Sequence, residues 1–388
     1  MNQHIKNKKN IYLWIPNLFS SKGGIQVFSD FLLKGLQSNY PSFDYNIFIK
    51  LDTQTIKNYH FSRQTNFHLF GLIPEIFRTA AFASQMITFG VLQRPDLVIT
   101  THLNFTVAAY WLKRITGIPY CTIAHGIEAW DIKNPSLKKA LHNADLILAV
   151  SSYTRNRLLK EQNLDPKKVS ILPNTFDPSR FQIRPKPDHL LKKYGLKPEQ
   201  AVILTVGRLS DVERYKGYDQ VLQALPEIRQ TIPDVHYIIV GKGDDKTRIE
   251  QQIIQLGLQD SVTLAGFIPD EQLCDYYNFC DVFAMPSKRE GFGIVYLEAL
   301  ACGKPVLGGN QDGAIDALCH GELGVLVNPD DVHEIAKMLV QILQKNYPNS
   351  LIYQPESLRK NVIETFGFES FKKTIGNHLS DYFNFPHL

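Results

Sequence analysis

The chain has 388 residues, enough for two domains of ordinary size, and its 44% hydrophobic and 21% charged residues are those of a soluble globular protein. The uncharged stretch from Thr79 to Gln93 is too short to cross a membrane, and the apolar run near the start is too short for a signal peptide. The net charge of +4 is uneven: residues 1–180 carry 21 Lys and Arg against 11 Asp and Glu, and residues 181–388 carry 21 against 27.

In the first half of the chain, short apolar runs rich in β-branched residues alternate with helical stretches. Nearly continuous apolar strands that alternate with helices predict a parallel sheet covered on both faces, and right-handed crossovers then give a doubly wound fold. We predict an N-terminal Rossmann-like domain over residues 1–178. Its predicted strands are Ile11–Pro16, Tyr45–Lys50, Phe67–Phe70, Asp96–Thr101, Tyr120–His125, Asp145–Val150 and Val169–Leu172.

The second half repeats the same alternation, so the predicted fold class is α/β with two Rossmann-like parallel-sheet domains. The proline-rich segment 173–187 has no periodicity and predicts a linker, followed by a C-terminal domain over 179–367. Residues 368–383 have helical spacing, and we expect the segment 368–388 to join the first domain. The strands predicted here are Val202–Gly207, Val235–Gly241, Val262–Phe267, Val282–Pro286, Pro305–Gly308 and Gly324–Val327.

Two motifs of the first domain follow predicted strands, where ligands of open parallel sheets bind. Gly23 and Gly24 lie between a strand and a helix and could contact a phosphate through their backbone, but this pattern is weak on its own and a plain tight turn explains it better. His125 ends another strand in the sequence IAHGIEAW. A single histidine is usually structural, but its place at a strand end would let it face Glu290 across a cleft.

The loop VGRLSDVERYKGYD carries two cations beyond the end of a strand. Arg208 directly follows the strand, and Lys216 precedes a glycine and a predicted helix over Tyr218–Gln230. Arg binds phosphate oxygens in a bidentate fork and Lys as a movable point charge, so the pair suits a diphosphate. The alternative is a solvated loop in which the cations meet Asp211 and Glu213.

The sequence EGFGIVYLEALACGKPVLGG holds the most informative pattern in the chain. Glu290 and Glu298 stand eight positions apart around a Gly-Phe-Gly turn that opens an apolar helix. The start of a helix presents unpaired N–H groups and favours a phosphate. Eight helical residues separate the carboxylates by up to ~12 Å, too far to share a proton but suited to the two ends of a nucleotide-diphosphate sugar.

The sequence motifs of several common metal-binding and nucleotide-binding sites are missing. There is no D-x-D pair and no His, Cys or carboxylate cluster with metal spacing, so no metal ligands are assigned. G-x-G-x-x-G and G-x-x-x-x-G-K-[ST] are also missing, which argues against a dinucleotide-dependent oxidoreductase and against ATP-driven chemistry.

Together, these motifs resemble the retaining GT-B glycosyltransferases of family four. The features are the glycine pair, H-G-I-E at 125–128, G-R-L…K-G at 207–217 and E-x7-E at 290–298. They occur in the family's order and cover nearly the whole chain, and E-x7-E followed by A-x-A-C-G-x-P-V is its specific part. The resemblance implies the GT-B fold, in which two Rossmann-like domains face a central cleft.

The resemblance also implies roles for individual residues. Arg208 and Lys216 would bind the donor diphosphate and stabilise its departure, and the longer spacing between them leaves Arg214 as a competitor for the role of Lys216. Glu290 would contact hydroxyls of the transferred sugar, and His125 would touch the sugar near the reacting carbon. The remaining donor contacts implied are Gly24 over the diphosphate, Phe292, Gly293 and Ile294 near the phosphates, Glu298 on the ribose, and Gly266 and Ile268 at the base.

The implied function is metal-independent, retaining transfer of a hexose to a glycan or polyprenyl-linked saccharide. UDP-glucose is the favoured donor and GDP-mannose the second, and no cofactor besides the nucleotide sugar is required. A non-catalytic nucleotide-sugar-binding protein and an NAD-dependent oxidoreductase are the alternatives from other classes.

The five cysteines, an odd number without C-x-x-C spacing, indicate reduced thiols and a cytoplasmic location. The basic first half favours an anionic partner at the inner membrane face, such as a membrane surface or a phosphorylated lipid carrier; its alternative is a basic surface that maintains solubility. Nucleic acid is not expected, because the basic residues are not interleaved with aromatics.

Overall fold

The computed structural model describes residues 8–20, 23–55 and 64–386. The chain divides into two compact units, one formed by Met1–Thr175 with Phe368–Leu388 and the other by Phe176–Gly367. The first unit ends inside the proline-rich segment 173–187, in which the structure has no helix. Each unit is built on its own parallel sheet.

The first unit has a seven-stranded parallel sheet in the order β3-β2-β1-β4-β5-β6-β7. All seven predicted strands are confirmed, with ends within two residues. Apolar side chains of β1, among them Trp14, are fully buried, because helices cover both faces of the sheet. The strands are β1 Asn10–Ile15, β2 Asp44–Ile49, β3 Thr65–Leu69, β4 Leu97–Thr100, β5 Tyr120–Ala124, β6 Leu146–Ala149 and β7 Val169–Ile171. The first five helices are α1 Gly24–Asn39, α2 Glu75–Gln93, α3 Thr106–Thr116, α4 Pro135–His142 and α5 Ser152–Gln162.

The second unit has a six-stranded parallel sheet in the order β10-β9-β8-β11-β12-β13. The six predicted strands are again confirmed within two residues. They are β8 Val202–Val206, β9 His236–Val240, β10 Val262–Gly266, β11 Val282–Met285, β12 Val306–Gly309 and β13 Val325–Val327. The helices are α6 Asp188–Tyr194, α7 Tyr218–Thr231, α8 Lys246–Gln255, α9 Leu273–Phe279, α10 Ile294–Ala301, α11 Ala314–Ala317, α12 Val332–Leu343 and α13 Pro355–Phe366.

The last helix, α14 (Phe368–Phe383), packs on α1 in the first unit. The rings of Phe28 and Phe371 lie edge to face with centroids 5.7 Å apart. The side-chain amide of Asn39 donates a hydrogen bond of 2.7 Å to the backbone carbonyl of Lys372. The chain therefore returns to its first sheet after completing the second.

Both sheets reverse their strand order at one point. In the first unit this point lies between β1 and β4, and in the second between β8 and β11. Connections leave in opposite directions there, so a crevice opens beyond the carboxyl ends of the two strands, where ligands of such sheets bind. Arg208 follows β8 and Glu290 follows β11, which brings both predicted positions to the crevice of the second sheet.

Candidate active site

Lys216 and Glu290 form an ion pair beyond β8 and β11. The Lys216 Nζ lies 3.0 Å from Glu290 Oε2. Gly207 permits this path, because a Cβ at that position would lie 2.9 Å from Cδ of Lys216. The lysine stem thus crosses the end of β8 to reach a carboxylate 74 positions away in sequence.

Glu213 joins the two predicted cations. One of its carboxylate oxygens contacts a guanidinium nitrogen of Arg208, and the other lies 3.7 Å from Lys216 Nζ. The Glu213 side chain is 10% exposed and that of Lys216 14%, whereas that of Arg208 is 78% exposed. The cations therefore meet one of the two acids named in the solvated-loop alternative, while gathering beside Glu290.

Arg214 points elsewhere. Its Nε donates a hydrogen bond to Asp219 at 3.2 Å, and Asp211 lies 3.8 Å from its Nη1. Asp219 also accepts a hydrogen bond of 2.8 Å from Arg248. In this structure Lys216 is the cation that contacts Glu290, and Arg214 belongs to a separate network on α7 and α8.

The surroundings of Lys216 keep its charge. Burial by itself lowers the pKa of this ammonium group, but the nearby carboxylate of Glu290, then Tyr215 and Glu213, outweigh burial and raise the pKa well above its ordinary value. Lys216 is therefore a fixed cation at neutral pH.

Helix α10 begins at the Gly-Phe-Gly turn. Gly293, which precedes it, has φ of 91°, and a Cβ there would lie 2.4 Å from the ring of Tyr296. Among the described residues, no side chain caps this helix. Its first N–H groups thus remain available to an anion. The Phe292 side chain is buried against Phe366, with ring centroids 5.4 Å apart, so only its backbone can serve a ligand.

Asp312 holds the Glu290 loop in place, a role that the sequence did not predict. Its buried carboxylate accepts hydrogen bonds from the Glu290 amide at 2.7 Å, from Ser287 Oγ at 2.7 Å and from the Ala314 amide at 2.9 Å. Burial raises the pKa of Asp312 to about 6, with the hydrogen bonds acting in the opposite direction. The only sequence signal was an acidic residue next to a glycine after an apolar strand.

Glu298 has a neutral partner. Its Oε2 accepts a hydrogen bond of 2.7 Å from the hydroxyl of Tyr277 on α9. Burial raises the pKa of Glu298 to about 7, although the Tyr277 hydrogen bond lowers it in part. A carboxyl group with this pKa exchanges between donor and acceptor forms near neutral pH, which suits hydroxyl groups as ligands.

The predicted base-binding segment follows β10. Gly266 has φ of 73°, and its carbonyl accepts a hydrogen bond of 2.9 Å from the amide of Gly241. Ile268 is buried, whereas the ring of Phe267 between them is exposed, with Lys242 Nζ 4.9 Å from its centroid. The segment thus offers an exposed aromatic face that the sequence did not predict.

His125 follows β5 in the first unit. Its Nε2 lies 2.9 Å from the carbonyl of Thr101, its ring meets Phe28 edge to face, and its amide donates to the Glu128 carboxylate at 2.5 Å. Burial lowers the pKa of His125 to about 4, with the Thr101 carbonyl opposing the shift. The imidazole is therefore neutral at physiological pH and hydrogen-bonded to the carbonyl.

Gly24 begins α1 after the loop that follows β1. Among the described atoms, none lies within 4 Å of where its Cβ would stand, outside its chain neighbours and its own helix. Asp52 fixes the preceding loop, because its buried carboxylate accepts hydrogen bonds from the amides of Leu18, Phe19 and Ser20 at 2.7, 2.8 and 3.0 Å.

Within residues 8–20, 23–55 and 64–386, no three His, Cys, Asp or Glu side chains are grouped as metal ligands would be. A search of the same residues finds no helix that combines the length and apolar character needed to span a bilayer.

Two family models match the chain, one to each half. The model described as "Glycosyltransferase Family 4" matches residues 35–180, and "Glycosyl transferases group 1" matches residues 188–364. Among curated proteins, a GDP-mannose-dependent alpha-(1-6)-phosphatidylinositol monomannoside mannosyltransferase of Mycolicibacterium smegmatis is 34% identical over 56% of this chain and 59% of its own length. The 2-deoxystreptamine glucosyltransferase of Streptomyces kanamyceticus is 25% identical over 61% of this chain and 64% of its own length.

Solved structures match over almost the whole chain. HepE of Anabaena in complex with UDP is 21% identical with a TM-score of 0.77, covering 96% of this chain and 100% of that one. Sucrose-phosphate synthase of Thermosynechococcus elongatus is 20% identical with a TM-score of 0.80, covering 97% and 100%. At these identities the likeness shows a shared fold.

Proposed function

This chain belongs to the group 1 glycosyltransferases of family 4, which have the GT-B fold and retain anomeric configuration, and we propose that it transfers a hexose from a nucleotide-diphosphate sugar to a glycan or lipid-linked saccharide. The observation that carries this proposal is the cluster of Lys216, Glu290 and Arg208 at the point where the second sheet reverses its strand order.

In the proposed reaction, the bond between C1 of the sugar and the diphosphate oxygen breaks through an oxocarbenium-like state. Negative charge then develops on the leaving diphosphate, where Arg208, Lys216 and the amides at the start of α10 stabilise it. The acceptor hydroxyl attacks from the side of the leaving group, and a phosphate oxygen takes its proton. No side chain is then needed as a covalent nucleophile, and retention follows.

The two glutamates and His125 bind the ends of the donor in this proposal. Glu290 contacts hydroxyls of the transferred sugar, and Glu298, held by Tyr277, contacts the ribose hydroxyls. His125 contacts the sugar near the reacting carbon, where its neutral imidazole accepts or donates a hydrogen bond without adding charge. Gly24 lets the loop after β1 approach the diphosphate closely.

UDP-glucose is the proposed donor, and GDP-mannose is the second candidate. The mannosyltransferase that is 34% identical over part of the chain is named as GDP-mannose-dependent, which favours the second. A thermal-shift panel of UDP-, GDP- and ADP-sugars separates the two candidate donors, because a ligand that binds only the folded state raises the melting temperature of the protein. We expect one nucleotide to raise it by several degrees; no rise with any of the three would overturn the proposed function.

The acceptor side is proposed to meet an anionic membrane surface at the inner face, consistent with a cytoplasmic protein. Several large apolar side chains of α2, of α3 and of the loop before α2 are more than half exposed: Leu72, Ile76, Phe77, Leu92, Trp111 and Ile115. Two exposed cations lie near the C-terminal ends of these helices, Arg94 after α2 and Arg114 in the last turn of α3. Exposed apolar side chains together with exposed cations suit anionic headgroups.

Co-sedimentation with vesicles tests this contact. We expect binding to phosphatidylglycerol vesicles, weaker binding to phosphatidylcholine vesicles, and loss of both in an Ile76→Glu, Phe77→Glu variant. Equal sedimentation of the variant and the wild type would remove the membrane from the proposal.

We further propose that the reaction needs no metal ion, because two fixed cations already face the diphosphate. Transfer should then continue at an unchanged rate in EDTA, and loss of activity restored by Mg²⁺ would contradict this.

Slow donor hydrolysis without acceptor separates an enzyme from a non-catalytic nucleotide-sugar-binding protein, because only the enzyme has a working site.

A further inference from the structure

The charges beyond β8 cancel one another. Arg208 and Lys216 supply two positive charges, and Glu213 and Glu290 supply two negative charges within direct reach of them. A site for a diphosphate is expected to be positive before its ligand arrives, since attraction between opposite charges drives binding. Glu290 already has a proposed role on the sugar, which leaves Glu213 without one.

We propose that the Glu213 carboxylate competes with the donor diphosphate for Arg208 and Lys216, and that it thereby weakens retention of the nucleoside diphosphate product. Glu213 is a positioning residue in this proposal, acting through the two cations. The inference rests on the proposed function and adds a determinant of product release to it.

The geometry of the Glu213 carboxylate supports this placement. Its two oxygens contact different cations, Arg208 through one and Lys216 through the other. Phosphate and carboxylate oxygens compete for the same donors on Arg and Lys. A diphosphate that binds both cations must therefore displace this carboxylate or share its partners.

The backbone prevents Glu213 from moving far when it is displaced. Its amide donates a hydrogen bond of 2.8 Å to the carbonyl of Ser210. Farther along the loop, the Tyr215 carbonyl accepts a hydrogen bond of 2.9 Å from the amide of Lys288. Because the loop is anchored on both sides of Glu213, the displaced carboxylate stays near the diphosphate and repels it. The repulsion helps the product to leave after transfer.

Asp211 provides a matched control in the same loop. It carries the same charge two positions away, but its side chain is 70% exposed and its partner is Arg214, at 3.8 Å. Neutralising it removes the same charge from the loop without touching Arg208 or Lys216. Water and salt screen an exposed carboxylate far more than a buried one.

The test is calorimetric titration of UDP and GDP into the wild type, Glu213→Gln and Asp211→Asn. Glutamine keeps the size of the side chain and an oxygen that can accept from Arg208. We expect about tenfold tighter binding of the preferred nucleoside diphosphate to Glu213→Gln, and a change below about twofold in Asp211→Asn. The nucleoside without phosphates should show the same weak binding to all three proteins.

A gain in affinity separates this proposal from a purely structural role, because damage to the loop only weakens binding. Unchanged or weaker binding to Glu213→Gln, with the wild type still binding, would overturn the inference and leave the proposed function standing. If neither nucleotide binds the wild type, the proposed function fails and this inference fails with it.

Discussion

Both units have a candidate site beyond the carboxyl ends of their parallel strands, but the side chains at the two sites differ in charge. Beyond β8 and β11, two cations and two carboxylates contact one another directly. Beyond β4 and β5, the neutral ring of His125 meets a backbone carbonyl and a phenyl ring. One fold thus supports a strongly charged site in one unit and a site that disfavours a charged imidazole in the other.

The difference lies in what each loop buries. In the second unit, Lys216 is buried together with carboxylates, so its positive charge is stabilised although it is desolvated. In the first unit, burial dominates and lowers the pKa of His125 to about 4. A diphosphate requires fixed positive charge, whereas contact with sugar hydroxyls needs only a hydrogen-bonding group. The charged region is therefore the one on which transfer should depend most.

Removal of either cation is expected to have the largest effect. Lys216→Ala or Arg208→Ala should reduce kcat/KM by more than about a thousandfold, because charge on the leaving diphosphate is no longer stabilised. Initial rates of hexose transfer measure this. Lys246→Ala is the control, since that lysine pairs with Glu250 on the exposed face of α8. Activity retained in both site variants would remove the diphosphate role from this loop.

Glu290→Gln is expected to reduce turnover by about a hundredfold while donor binding changes less. The amide cannot accept hydrogen bonds from sugar hydroxyls at both of its terminal atoms, so an interaction formed in the transition state weakens. Measurement of kcat and KM separates the two effects, and an unchanged kcat would exclude Glu290 from the site.

Two glycine variants compare the two regions directly. Gly293→Ala should lower the free energy of unfolding by about 2 kcal/mol, because its φ of 91° is unfavourable and the new methyl group meets the Tyr296 ring. Gly24→Ala should leave stability nearly unchanged, since its Cβ enters open space. Urea unfolding checks both. Equal stability of the two variants would contradict the strain assigned to Gly293.

The smallest expected effect is a pH dependence of stability. The folded-state pKa of Glu298, about 7, lies above its ordinary value, so the folded chain binds more protons than the unfolded chain between about pH 4.5 and 7. Its contribution to the free energy of unfolding therefore decreases as pH rises through this window. The lowered pKa of His125 has the opposite effect. The contribution of His125 to the free energy of unfolding is lost as pH falls below about 6.5.

Glu298→Gln isolates the first of these contributions. The variant retains His125 and Asp312, so the difference between its unfolding curve and that of the wild type reports Glu298 alone. We expect this difference to change between pH 5 and 7.5, as followed by urea unfolding at each pH. A difference that stays constant across the window would show that Glu298 has an ordinary pKa.

The positions of the strands along the chain were predictable, because parallel strands buried on both faces are short apolar runs in the sequence. All thirteen strands lie where these runs predicted, and α10 begins at Ile294, directly after the Gly-Phe-Gly turn that was predicted to open it. The loops that carry Arg208 and Glu290 were predictable, because the two loops follow the strands β8 and β11.

The pairing of side chains within the loops was not predictable. The hydrogen bond from Tyr277 to Glu298 and the carboxylate of Asp312 under the Glu290 loop depend on how separate helices and loops meet in space. Sequence spacing had left Arg214 and Lys216 as competitors. The structure gives Arg214 a partner in Asp219 and brings Lys216 to Glu290.

The most direct test of the charged cluster is calorimetric titration of UDP and GDP into the wild type and a folded Arg208→Ala, Lys216→Ala double variant. If these cations hold the donor diphosphate, the wild type binds one of the two nucleotides with a one-to-one stoichiometry and the double variant shows no measurable heat of binding. Equal affinity in the two proteins would contradict the assignment of the diphosphate to Arg208 and Lys216.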